Sequence, residues 1–207
     1  MVGYYEGWAA GRRCNAFYPE QIPVGVYTHI NFAFATIDPE TLEVRPSSDG
    51  DVVMYERLIY LKKMDPGLKV FIAIGGWTFN DPGPTQYVFS KIASTIENQN
   101  KFILSALRFI ATYGFDGIDL DWEYPVAEDR SGSPEDYSNF PILLARLKYT
   151  LAFSPIKGGL SITIPASYCE YRLELCGALP SSHIPSLVYW STYAYQPLAV
   201  LRVSTTL

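Results

Sequence analysis

The chain has 207 residues, is 48% apolar and carries a formal net charge of −5. That apolar share can bury a core and excludes a disordered chain, while the acidic balance and lack of a long basic run argue against nucleic-acid binding. No apolar run reaches the ~18–20 residues of a membrane span. His29 and His183 stand alone, without C-x-x-C or H-x-x-x-H spacing, so no membrane anchor, metal site or cofactor is expected.

The N-terminal MVGYYEGWAAGRR lacks a charged start, an apolar stretch and a small-residue cleavage site, so it does not read as a secretory leader. It reads instead as a strand, Val2–Trp8. Further β-rich runs follow at Thr28–Ile37, Lys69–Trp77, Phe115–Glu123 and Gly159–Pro165, with a weaker one at Leu187–Tyr195. Helical patterns lie between them: Asp51–Met64, Tyr87–Ile96, Lys101–Tyr113, and Ser133–Phe153, which opens on the start signature Ser133, Pro134, Asp136. The first crossover, Pro19–Val26, is short and poorly helical. Near-continuous apolar strands alternating with helices predict a parallel sheet covered by helices. No G-x-G-x-x-G follows the first strand, which weakens a dinucleotide-binding sheet. A charged strand favours a (β/α)8 barrel, whose strands deliver chemistry at their C-terminal ends. Cys14, Cys169 and Cys176 are odd in number, leaving a Cys169–Cys176 bridge and buried free thiols both open.

The chemistry sits in FDGIDLDWEYP, Phe115–Pro125. Side chains alternate along a strand, so Asp119, Asp121 and Glu123 share one face, roughly 6.6 Å apart, while Ile118, Leu120 and Trp122 share the other. A solvated edge strand would not carry so bulky an apolar face. A calcium loop would show D-x-D-x-D-G and wrap the ion, which a straight strand cannot. Carboxylates crowded in one pocket cannot all ionise at neutral pH, and one held protonated can act as a general acid, as glycoside cleavage requires.

Asp116-x-x-Asp119-x-Asp121-x-Glu123, continued by Tyr124 and Pro125, resembles the D-x-x-D-x-D-x-E signature of glycoside hydrolase family 18, the chitinases. KVFIAIGGWTFND at Lys69–Asp81 resembles the family's third-strand S-x-G-G motif. GYYEGW at Gly3–Trp8, HINFAFA at His29–Ala35 and SITIPASY at Ser161–Tyr168 resemble its first, second and fifth strands. The wording is most similar to fungal chitinases related to killer-toxin subunits.

The resemblance implies an extracellular, monomeric, cofactor-free enzyme that cuts β-1,4-linked N-acetylglucosamine in chitin or chitooligosaccharides. The mechanism would be retaining and substrate-assisted. Glu123 would be the proton donor. Asp121 would orient the acetamido group and share a proton with Asp119. Tyr4 would support the acid pair from below, and Trp77 would stack on a sugar. Gly75 and Gly76 would leave room at the rim, with Tyr124 beside them, and Asp116, out of phase with the other acids, would bond backbone at the strand start. An endo-N-acetylglucosaminidase shares the acidic signature, and a non-catalytic chitin-binding lectin shares the fold. Family lectins generally lose the terminal glutamate, which is present here.

Two departures stand out. Ala73 occupies a position where the motif commonly has Ser. Beyond Tyr168 the wording drifts, so residues 169–207 are set apart as divergent from the catalytic domain assigned to 1–207. Tyr195-Gln196 stands where M-x-Y-D is expected, leaving Tyr195 as a sugar-site candidate. About six of the eight β/α units of a barrel are counted. The expectation is therefore an incomplete barrel from a truncated or misspliced reading frame, with exposed edges, low solubility and weak or absent turnover.

Overall fold

The computed structural model describes residues 1–165 and 188–192. Its strands are β1 (Val2–Glu6), β2 (His29–Ile37), β3 (Val44–Pro46), β4 (Lys69–Gly75), β5 (Gly117–Asp121), β6 (Gly159–Pro165) and β7 (Val188–Thr192). The helices are α1 (Asp51–Tyr60), α2 (Val88–Ser94), α3 (Ile96–Tyr113) and α4 (Asp136–Phe153). All strands but β3 run parallel, in the order β1-β2-β4-β5-β6-β7, and β3 pairs antiparallel with β2.

The parallel strands are apolar because both faces are covered. In β4 every residue after Lys69 is buried, and in β5 every residue is. The outward residues of β5 meet the helices: Trp122, just past its end, stacks on Phe89 of α2 at 5.3 Å and meets Phe140 of α4 edge-on at 5.1 Å. Tyr55 of α1 packs against Phe32, Phe109, Tyr113 and Phe115. The inward face is set by register. Asn31, Phe71, Gly117 and Gly159 lie level across β2, β4, β5 and β6, and Ala33, Ala73, Asp119 and Ser161 form the next level.

The sheet curls toward that face. Three strand spacings separate β1 from β5, about 14 Å in a flat sheet. Yet the Tyr4 hydroxyl on β1 reaches Asp119 on β5 at 2.6 Å. Curled parallel strands with helices outside are the architecture of a (β/α)8 barrel, incomplete over the described residues. Among those residues no helix is long and apolar enough to cross a membrane.

The differences from the sequence reading are local. β1 stops at Glu6 because Gly7–Gly11 turns into a 3-10 helix. α3 begins at Ile96 rather than Lys101, because Thr95 is extended and its side chain accepts from the Asn98 N–H at 3.2 Å, capping the helix. β3 was not anticipated, since three residues carry no readable period. α4 starts at Asp136, whose carboxylate accepts from the Ser133 N–H at 2.7 Å and the Ser133 hydroxyl at 3.1 Å.

Candidate active site

β5 places Asp119 and Asp121 on the inward face, and Glu123 follows two residues beyond the strand end. They are 0%, 2% and 7% exposed, so all three carboxyls are withdrawn from water. Burial of this kind is tolerated only where hydrogen bonds are supplied. Asp119 receives two: the Tyr4 hydroxyl at 2.6 Å and the Ser161 hydroxyl of β6 at 2.5 Å. Asp121 accepts from the Thr163 hydroxyl at 2.5 Å.

Burial drives all three carboxyls above their ordinary values. For Asp119 this outweighs the hydroxyls of Ser161 and Tyr4 and the neighbouring Asn31 amide. Asp121 is raised furthest, because burial is joined by the negative charges of Glu123 and Asp119. Glu123 is raised by burial, opposed by hydrogen bonds from Tyr124 and Asp121 and by the charge of Arg130. The Tyr4 phenol is pushed well above its usual value by burial and by Asp119, so it stays a donor.

The sequence reading put a shared proton between Asp119 and Asp121. In the structure both Asp119 oxygens are taken by Tyr4 and Ser161, and the Asp121 carboxyl is hydrogen-bonded to Glu123. Asp121 therefore interacts with a carboxyl on either side, and Glu123 acts on it more strongly than Asp119 does. Ala73, level with Asp119, offers it no hydroxyl; Ser161 supplies one from the opposite flank.

Asp116 faces away from this ladder. One oxygen accepts from the Val70 N–H at 2.8 Å and the other from Lys62 at 2.8 Å, clamping the start of β5 to β4 and to the 3-10 turn Leu61–Lys63 after α1. Gly75 and Gly76 both have positive φ, 111° and 88°. A Cβ on Gly76 would lie 2.8 Å from the Phe34 ring, and the Gly76 N–H donates to the Asp121 carbonyl at 2.9 Å. Directly after them Trp77 is 51% exposed at the rim, edge-on to Tyr124 at 6.4 Å. Tyr195, Cys169, Cys176 and His183 lie outside the described residues; Cys14 is free and exposed.

Ser161, Thr163, Asn31 and Arg130 were missed. The first two had a signal, the same alternation of polar residues through an apolar strand that singled out β5. Arg130 had none, since a basic residue beside Glu128 and Asp129 in a loop reads as solvated charge.

The sequence model of glycosyl hydrolases family 18 matches residues 1–185. The chain belongs to glycosyl hydrolases family 18. An endochitinase of Manduca sexta is 33% identical over 197 residues, covering 90% of this chain and 34% of that protein. Chitotriosidase-1 of Mus musculus is 38% identical over 183 residues, covering 87% and 35%. The chain thus spans about a third of the length of these family 18 relatives. Among solved structures, a mutant of Ostrinia furnacalis Group II chitinase catalytic domain 2 in complex with penta-N-acetylchitooctaose, (NAG)5, superposes with a TM-score of 0.71 at 33% identity, covering 80% of this chain and 43% of that one. An Ostrinia furnacalis Group IV chitinase in complex with allosamidin gives 0.71 at 29% identity, covering 80% and 43%.

The raised carboxyls have a consequence for stability. Asp121 holds its proton more tightly folded than unfolded, so its contribution to stability declines as pH rises from the ordinary carboxylate range, near 4, toward its folded value. Asp121→Asn removes this strain and keeps the contacts: its amide oxygen accepts from Thr163 and its NH2 donates to Glu123. The variant is expected to melt higher than wild type at pH 7, by roughly 2–4 °C per kcal/mol relieved. Its advantage should vanish near pH 4. Melting curves at both pH values check this; a difference independent of pH would refute it.

Proposed function

We propose that the protein is a chitinase that cleaves internal β-1,4 bonds of N-acetylglucosamine polymers by a retaining, substrate-assisted mechanism with Glu123 as proton donor. The observation that carries this reading is the buried Asp119–Asp121–Glu123 ladder, linked through Arg130 and Tyr124 to the exposed Trp77. The chitinases among its relatives and the chitooligosaccharide in a neighbouring structure support the choice of substrate.

Glu123 passes its proton to the glycosidic oxygen as the C1–O bond breaks. The sugar's own acetamido oxygen attacks C1 from the opposite side, forming an oxazolinium ion. With the proton between the two carboxyls resting on Glu123, Asp121 is the anion that accepts the acetamido N–H, orients that oxygen and stabilises the developing positive charge. Asp119, held by Tyr4 and Ser161, keeps the charge of Asp121 in place from below. Water then attacks C1, and Glu123 takes its proton. Trp77 offers a flat face for a sugar ring, Tyr124 steadies the Glu123 carboxyl, and Asp116, Gly75 and Gly76 hold the strand ends that aim these groups. Tyr195 would complete the acetamido site. The same reading makes the protein an extracellular monomer, nearest in motif wording to the fungal killer-toxin-like chitinases.

Incubation with chitotetraose, followed by proton NMR of the first products, tests the proposal. Cleavage with β-anomers formed first is expected, with no cleavage of the fully de-N-acetylated oligomer, which lacks the internal nucleophile. First-formed α-anomers, or equal cleavage of both oligomers, would overturn the mechanism. Binding of chitotetraose without turnover would favour a lectin.

A further inference from the structure

Arg130 is a largely covered cation at the rim, its side chain 11% exposed. Its backbone is held by a tight turn: the Arg130 N–H and the Gly132 N–H both donate to the Ala127 carbonyl, at 2.9 and 2.8 Å. No Cβ fits at Gly132, where it would lie 2.6 Å from the Ala127 nitrogen. From that fixed base the guanidinium reaches across to the loop after β4. Its Nη1 donates to Asp81 at 2.8 Å, its Nη2 to the Trp77 carbonyl, and its Nε to the Glu123 carbonyl at 3.2 Å. The guanidinium carbon also lies 3.8 Å from the centroid of the Trp77 ring. One planar group thus covers one face of the indole, grips the backbone that carries it, and grips the backbone of the glutamate. A planar fork with several fixed donors does this; an ammonium on a flexible stem does not.

We propose that Arg130 is a positioning residue for sugar binding, clamping Trp77 from one face and tying it to Glu123 so that the stacking platform and the proton donor keep a fixed spacing. The free face of the indole is then the one a sugar meets. A ring held by a guanidinium loses less freedom when it stacks than an exposed, swinging indole would. The inference rests on the chitinase reading above.

The test is calorimetric binding of chitopentaose to the full chain carrying Glu123→Gln, which removes turnover. Adding Arg130→Met is expected to weaken binding about tenfold. Adding Arg130→Lys should recover less than half of that loss on a logarithmic scale, because charge alone cannot form the fork. Trp77→Ala should weaken binding by at least as much, and Arg130→Met should then cost less than twofold in the Trp77→Ala background, because its effect runs through the indole. Equal affinity with and without Arg130, full rescue by Lys, or an undiminished tenfold loss in the Trp77→Ala background would each overturn the proposal. Absence of any binding by the Glu123→Gln parent would instead sink the chitinase reading. Thermal melts of each variant separate these results from unfolding; should the Met variant not fold, the Lys variant and its pair with Trp77→Ala carry the same test.

Discussion

Glu123→Gln is expected to lower turnover of N-acetylated chitooligosaccharides by about 10²–10⁴-fold, the usual worth of a positioned general acid. Affinity should stay within about threefold of wild type. The substitution keeps the shape of the side chain and its contacts with Asp121 and Tyr124 but removes the proton that the leaving oxygen needs. A lectin would lose nothing in hydrolysis, having none, so the ratio of the two effects separates the functions. The wild-type pH profile follows from the same groups. Glu123 acts while protonated, and burial raises it above the ordinary carboxylate range. Activity is therefore expected to fall as pH rises through the value of the Asp121–Glu123 pair, at a pH above that of free glutamate, about 4.3. Asp121→Asn removes one of the two interacting charges, so the limb should become that of a single group. Steady-state kcat/KM against pH for both proteins measures this; an unchanged limb would show that the pair is not what titrates.

What the sequence could tell depended on whether a feature is local. The β5 ladder was legible because three acids at a spacing of two in an apolar run have few explanations, and the strand period alone puts them on one face. The parallel architecture was legible from strands too uniformly apolar to have a wet side. Partners in the site were harder. Ser161 meets Asp119 only because β6 pairs with β5 in a register that sets the two level, and register is a property of two strands, not of either one. The hydroxyl absent at Ala73 pointed to a missing support, whereas the sheet supplies that support from the other neighbour. Asp116 was separated from the other acids by its phase alone, and it bonds Val70 and Lys62 at the opposite end of the strand. Arg130 lay beyond reach, because its role comes from the approach of two loops 53 residues apart in sequence.

Gly75→Ala is expected to cost about 3 kcal/mol or more, and to disturb the acid ladder as it does so. Two effects add. At φ of 111° an alanine is strained, a cost of about 1–3 kcal/mol. Its Cβ would also lie 2.2 Å from the Asp121 carbonyl oxygen and 2.9 Å from the Phe89 ring. The first obstacle is backbone, which cannot swing aside, and overpacking adds about 1–3 kcal/mol more. Relief requires β4 to move away from β5 at the point where the Gly76 N–H holds the Asp121 carbonyl. A loss of this size is a large part of the ~5–15 kcal/mol that holds a domain together. At ~2–4 °C per kcal/mol for a chain of this length, melting should fall by about 10 °C. Gly11→Ala is the control, since nothing lies within 4 Å of its Cβ and its melting should be nearly unchanged. Equal melting of Gly75→Ala and wild type would mean that β4 and β5 do not approach as closely as the carboxylate ladder requires, and the placement of Asp121 beneath Glu123 would fall with it.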